Sequence, residues 1–283
     1  MPTKTPTKTS ELIKELQEFY DLIDKYQDSD LATFKITISK LRAFLQSLIS
    51  VEKGYISAFN HFVKNYSEQY LKFKIKFTHA ENFFERIIEL DENENVIYNT
   101  EDGISLKNLD SCLTDEFNKL FLNDVKIEID KLKKYITAKN FVMVGCGSLP
   151  ITLLVFCNEF PSGSFVGIDN SPEAIRKAID IKSKFNIENL NFDIIDGMNY
   201  DYKNANTIFV ANTVVPKMKV LKQIAMSAES KTKIIIRIPV MSGNLLSEDV
   251  IYNSIPRIHL LEEVEPDAKT DDMLYKLLVL EIR

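Results

Sequence analysis

NFVMVGCGSLPITLLVF, residues 140–156, decides the fold. NFVMVG (140–145) is a short apolar run that ends in glycine, and a helical pattern runs from about 149 to 158. Strand, glycine turn and helix make the opening of a βα unit. In GCGSLP (145–150) two glycines let the backbone turn tightly and approach a ligand. The helix N-terminus behind them presents free N–H groups and a partial positive charge, which favour a carboxylate or a phosphate. A dinucleotide fingerprint wants a third small residue where Pro150 stands, so close packing on a pyrophosphate is disfavoured. A tight turn without a ligand is the plainer reading of a lone GxG.

Downstream, the pattern repeats. SFVGID (164–169) is a strand and Pro172–Phe185 a helix, with Ser171 as N-cap and proline at the first helical position. LNFDIID (190–196), NTIFVAN (206–212) and KIIIRIP (233–239) are further strands with helical stretches between them. This alternation predicts an α/β fold, a doubly wound, mostly parallel Rossmann-like sheet with right-handed crossovers. IHLLEEV (258–264) and MLYKLLVLEI (273–282), separated by the turn-like EPDAKTDD, predict a final hairpin on the sheet edge.

Upstream, six of the eight glycines disappear, since all but Gly54 and Gly103 lie after residue 140. Apolar residues recur there at helical spacing. One stripe is Leu12, Leu16, Phe19, Ile23 and Tyr26; a second is Ile38, Leu41, Leu45 and Leu48. A third is Phe59, Phe62, Val63, Tyr66 and Tyr70; a fourth is Leu113, Phe117, Leu120 and Phe121. The expected organisation is a disordered tail over 1–9, an all-helical domain over 10–136 and the α/β domain over 137–283. DENENVIYNTEDG (91–103) reads as a polar break or small hairpin.

The 283 residues suit two domains, and 45% hydrophobic with 27% charged is ordinary globular composition. Net charge is −6, and each half, split at residue 140, carries three more acidic than basic groups. No half supplies the concentrated positive field that nucleic acid or an anionic membrane needs. Three cysteines without a CxxC and three scattered histidines suggest neither a disulfide framework nor a metal site. No apolar run reaches about 18 residues, and MPTKTPTKTS lacks the apolar core of a signal peptide. The expected compartment is the cytoplasm.

The ligand-facing candidates sit at strand ends, because ligands of open α/β sheets bind beyond the C-terminal ends of the strands. Gly145, Cys146, Gly147, Leu149 and Pro150 form the first turn. Asp169, with Asn170 after it, ends the second strand, where a carboxylate can accept hydrogen bonds from both ribose hydroxyls. Asp196, Gly197 and Met198 end the third: the carboxylate suits an adenine amino group and the methionine a ring face, although D-G is also a plain turn. Ala211, Asn212 and Thr213 end the fourth, the last two facing the reacting centre or capping a helix. Arg237 interrupts an apolar strand, so it is either paired internally or reaches the cleft to hold a carboxylate.

Strand, GxG, strand-end Asp and Asp-Gly-Met resemble the nucleoside-binding layout of class I S-adenosylmethionine-dependent transferases over about 138–283. FVMVGCGSLPITLLVF resembles more narrowly the nicotianamine synthase pattern, a strand leading to G-x-G-P-L-P-L-T, with Ser148 replacing the first proline. VVPKMKVLKQI (214–224) resembles that family's E-P-K stretch, and KIIIRIPVMSGNLL (233–246) its Arg-containing fifth strand and following loop. The resemblance implies a helical N-terminal domain and S-adenosylmethionine as co-substrate. It implies transfer of the 3-amino-3-carboxypropyl group to a small-molecule amine or amino acid, with release of methylthioadenosine, or cyclisation to azetidine-2-carboxylate. It also implies a carboxylate base from the helical domain, for which Glu81, Glu85 and Glu128 are the candidates, with Asn212 near the reacting centre. Where the family carries tyrosines before the first strand, this chain has Phe117, Phe121 and Asp124. An ordinary small-molecule methyltransferase fits the generic sheet motifs, and a non-catalytic binding subunit fits the missing tyrosines.

Overall fold

The computed structural model describes residues 9–26, 30–50, 53–90, 103–113, 116–137, 139–239, 245, 249–265 and 275–283. The expected tail, all but the last residue of the 91–103 break, most of the 265–272 turn and most of the loop after the fifth strand lie outside them. Thr9 already belongs to the first helix.

The seven strands are β1 (Phe141–Val144), β2 (Phe165–Asp169), β3 (Leu190–Ile194), β4 (Thr207–Val210), β5 (Lys233–Pro239), β6 (Ile258–Val264) and β7 (Tyr275–Ile282). They form one sheet in the order β3-β2-β1-β4-β5-β7-β6. The pairs β1–β2, β1–β4, β2–β3 and β4–β5 are parallel, and β6–β7 is antiparallel. Composition sets each strand's place. All four residues of β1 and of β4 are buried, as in strands covered on both faces. At the edges, β3 and β6 expose several residues.

Helices α5 (Leu109–Cys112), α6 (Glu116–Leu132) and α7 (Ile151–Glu159) cover one face. α9 (Lys217–Ser227) packs in the cluster on the other. α7 is apolar all round and buried from Ile151 to Cys157, so it sits inside the protein. α8 (Pro172–Phe185) starts as its sequence predicts: the Ser171 hydroxyl accepts from the Ala174 N–H at 3.2 Å. It ends at Asn186, which takes the left-handed C-cap conformation at φ 51°.

The remaining helices are α1 (Thr9–Asp24), α2 (Leu31–Ser50), α3 (Lys53–Asn65) and α4 (Ser67–Leu90). Their stripes meet in a core of their own, with Leu12, Leu16, Ile38, Leu41, Phe62, Phe73 and Phe77 buried. The third expected stripe is two helices rather than one. α3 stops at Asn65, whose side-chain amide donates to the His61 carbonyl at 2.9 Å, and Tyr66 is exposed.

The compact units divide differently from the expected boundary at 136. One comprises Met1–Ile88 with Pro239–Asp249, the other Glu89–Ile238 with Val250–Arg283. α6 belongs to the sheet because Leu122, Val125, Ile129 and Leu132 are buried in the core cluster of β1 and α7. The connection after β5 belongs to the helices: Leu245 is buried in their core, and Lys74 binds Asp249 at 2.7 Å. The fourth stripe breaks at Leu113, which is extended at ψ 135° between α5 and α6.

Candidate ligand site at the strand ends

Gly145 and Gly147 take left-handed conformations, φ 73° and 67°, that other residues adopt only with strain. A Cβ at Gly145 would lie 2.5 Å from Val214 Cγ2 and 3.5 Å from Ala211 Cβ. Glycine therefore lets the loop after β4 close onto the loop after β1. The turn is tied to β2: Gly145 N–H donates to the Ile168 carbonyl at 2.9 Å, as does Cys146 N–H at 3.2 Å.

Asp169 completes the tie. Its Oδ2 accepts from Gly147 N–H at 3.1 Å and its Oδ1 from Ser171 N–H at 3.0 Å. Each oxygen keeps a second lone pair, and the residue is half-exposed. The carboxylate is thus aimed by two backbone donors yet retains acceptor capacity on both oxygens. Asn170 is exposed beside it. Cys146 is buried, so it offers the site its backbone, while Leu149 and Pro150 pack at the start of α7.

Beyond β3, Asp196 Oδ1 accepts from Met198 N–H at 2.8 Å, and the Asp196 carbonyl accepts from Asn199 N–H at 2.8 Å. The plain D-G turn is therefore realised, built on its own carboxylate. Gly197 is needed for close approach, since a Cβ there would stand 2.6 Å from Val144 Cγ1. The buried Tyr202 hydroxyl donates to the Gly197 carbonyl at 2.8 Å, and burial pushes its pKa up. Met198 packs against the core cluster of α9.

After β4, Ala211 is buried, Asn212 half-exposed and Thr213 exposed. Asn212 Oδ1 is buried and has no hydrogen-bond partner. Its backbone carbonyl accepts from Lys217 Nζ, which also donates to the Val214 carbonyl at 3.1 Å. Lys217 is fully buried.

At the end of β5 the open choice for Arg237 resolves to an internal pair. Nε donates to Glu128 Oε1 and Oε2 at 2.9 and 3.0 Å, and Nη2 to Oε2 at 2.5 Å. Nη2 also donates to Thr152 Oγ1 at 3.1 Å. The ring centroids of Phe209 and Phe121 lie 4.7 and 5.0 Å from the guanidinium carbon. The expectations of a cleft-facing Arg237 and a catalytic Glu128 are corrected together: each is the other's partner, with 3% and 1% of its surface exposed. A charge on an apolar strand needs an opposite charge, and α6 supplies it.

Glu81 lies in the helical unit, buried and bonded by Arg42 Nε at 2.7 Å. The side chain of Glu85 lies outside the described residues. Burial pushes the Cys157 thiol up to about 12, so it is a poor nucleophile. Among the described residues no group of three His, Cys, Asp or Glu could hold a metal ion, and no helix is long and apolar enough to cross a membrane. Lys217 and Thr152 stand in the two motif stretches quoted above, but their sequence positions do not reveal that Lys217 binds main-chain carbonyls or that Thr152 is a partner of Arg237.

Residues 137–275 match a family described as a methyltransferase domain. No curated protein matches the chain. Among solved structures it is similar to a Glu-to-Gln mutant of MtNAS, a nicotianamine synthase, at TM-score 0.67 and 13% identity, over 96% of this chain and 98% of that one. The same mutant in complex with S-adenosylmethionine is similar at TM-score 0.53 and 16% identity, over 97% and 91%. MtNAS in complex with MTA and tNA gives 0.52 and 17%, over 98% and 90%. The fold is the class I methyltransferase type, a mostly parallel seven-stranded sheet with flanking helices, preceded by a helical region.

Proposed function

We propose that the chain is an S-adenosylmethionine-dependent transferase that moves the 3-amino-3-carboxypropyl group to an amine and releases methylthioadenosine. The observation that carries this reading is coverage. The likeness to MtNAS takes in 96% of this chain and 98% of the other, helical region included, whereas the methyltransferase-domain match begins at residue 137.

The site's own geometry fits the co-substrate. Gly145 and Gly147 bring backbone close to the methionine end. Asp169 has one free lone pair on each oxygen for the two ribose hydroxyls. Asp196 retains an oxygen for the adenine amino group beside the one bonded to Met198. The sulfonium makes all three attached carbons electrophilic, and the protein selects one by holding it in line with the nucleophile. In the transfer, the amine lone pair forms the new C–N bond at the γ-carbon. The S–C bond breaks with its electrons going to sulfur, and the amine proton leaves to a base. Glu128 accepts from Arg237 and Glu81 from Arg42, so neither pairing singles out that base.

Methyl transfer is the second reading, favoured by the domain match over 137–275. Mass spectrometry of the by-product, with and without amino-acid amines, separates the two. Methylthioadenosine is expected, and S-adenosylhomocysteine would overturn the reading. Methylthioadenosine formed without an acceptor marks the cyclising form of the reaction. The acceptor is expected to be a small amine or amino acid, the compartment the cytoplasm, with neither nucleic acid nor membrane as partner.

A further inference from the structure

The proton released in the transfer needs an acceptor, and α6 carries a buried carboxylate that the account so far gives no task. Asp124 has 5% of its surface exposed. Its place follows from its neighbours on the helix. Phe121, three residues before it, faces Arg237 with its ring, and Glu128, four residues after it, faces Arg237 with its carboxylate. Residues at those spacings share one face of a helix, so Asp124 stands on the stripe between them. Arg237 gives its hydrogen bonds to Glu128 and Thr152, which leaves Asp124 outside that pair.

The height of Asp124 relative to the sheet follows from the strand register. Val144 pairs with Val210 and Val210 with Ile236, so Gly145, Ala211 and Arg237 make the next row, at the strand tips. Glu128 meets that row at Arg237. α6 runs against the parallel strands: it ends at Leu132, and soon after it Thr137 N–H donates to Thr207 Oγ1 at the start of β4. Asp124 therefore lies one turn farther out than Glu128, about 6 Å along the helix. Helical Cβ atoms tilt toward the N-terminus, which carries its carboxylate farther from the strands. The space beyond the tips is where ligands of open α/β sheets bind. A buried carboxylate loses its costly charge by taking a proton, which suits it to receive one.

We propose that Asp124 is the catalytic base of the transfer and accepts the proton of the attacking amine. This rests on the transferase reading above. The acceptor's ammonium gives one proton to the Asp124 carboxylate, which becomes a carboxylic acid. The freed lone pair forms the C–N bond at the γ-carbon, the S–C pair goes to sulfur, and the product leaves as an ammonium. The acid then returns its proton to water. In the cyclising form the nucleophile is the co-substrate's own amine, and the same carboxylate serves it.

The test follows methylthioadenosine release from S-adenosylmethionine, alone and with each standard amino acid, beside calorimetric titration with methylthioadenosine. Asp124→Asn keeps the shape and removes the base. Its turnover should fall about 10²-fold or more, the range of general base catalysis. Its affinity for methylthioadenosine, which carries no amine chain, should stay within about twofold of the parent's. Asp124→Ala opens space for a small carboxylate, and added formate should raise its turnover about tenfold or more, a response that a structural role would not give. If Asp124→Asn fails to fold, the formate response of Asp124→Ala decides alone. Turnover equal to the parent's, a matched loss of turnover and affinity, or no response to formate overturns the proposal. A parent that releases S-adenosylhomocysteine, or neither by-product, overturns the transferase reading itself.

Discussion

Two carboxylates, Asp169 at the end of β2 and Glu128 on α6, are treated in opposite ways by the fold. Asp169 is half-exposed, and two backbone N–H groups aim it while leaving each oxygen able to accept again. Glu128 is buried on α6, and Arg237 and its aromatic neighbours use it up. The tip of β2 keeps polar capacity in reserve; the tip of β5 spends it on joining β5, α6 and α7. The difference teaches that a charged residue on an apolar strand is read correctly only with its partner, and the partner here stands 109 positions away.

The comparison breaks most visibly at Glu128. Glu128→Ala leaves a buried guanidinium unpaired and should cost about 3–5 kcal/mol of stability in chemical denaturation. The double variant Glu128→Leu with Arg237→Met should recover most of that loss, because a well-packed apolar pair avoids the desolvation of both charges. A single variant as stable as the parent would show that the pair does not hold these elements together.

Gly145→Ala probes the turn tied to β2. Its φ of 73° costs about 1–2 kcal/mol for a residue with a Cβ, and the approach of Val214 adds to that. Gly103→Ala, with φ 77° and open space around it, carries the strain alone and is the control. Thermal melts should place Gly145→Ala clearly below Gly103→Ala; equal melting temperatures would mean that the β4 loop yields freely. Smaller again is Asp169→Ala, which removes the acceptor of two half-exposed backbone donors and should lower stability by about 1 kcal/mol.

The smallest effect lies far from either tip. The hydrogen bond from Lys233, then burial acting in the opposite sense, set the Glu281 carboxyl below its ordinary value. A lowered carboxyl stabilises the fold above its unfolded pKa, and that contribution disappears as pH falls through the folded value. Glu281→Gln should therefore cost less than about 1 kcal/mol at neutral pH, given solvent screening, and nothing in acid. A difference that persists below both pKa values would rule out this linkage.

Much of this was legible beforehand. The strands fall where apolar runs and strand-end glycines or aspartates place them, because periodicity and turn chemistry are local. Ser171 caps α8 for the same reason. The division into compact units was not legible, since the stripe on α6 shows that one face is buried but not against what. Nor was the third stripe, where Asn65 turns its side chain onto the backbone. At the strand ends, Gly145, Asp169 and Asp196 are named from position alone. The roles of Arg237 and Lys217 depend on a distant glutamate and on main-chain carbonyls, which leave no mark on spacing.

Titration of the parent and of Asp169→Ala with S-adenosylmethionine tests the central claim most directly. The parent should bind. The variant should bind at least about tenfold more weakly, because two charge-assisted hydrogen bonds to the ribose are lost. Equal affinities, or a parent that gives no binding heat, would contradict the assignment of the β1–β2 end as the co-substrate site.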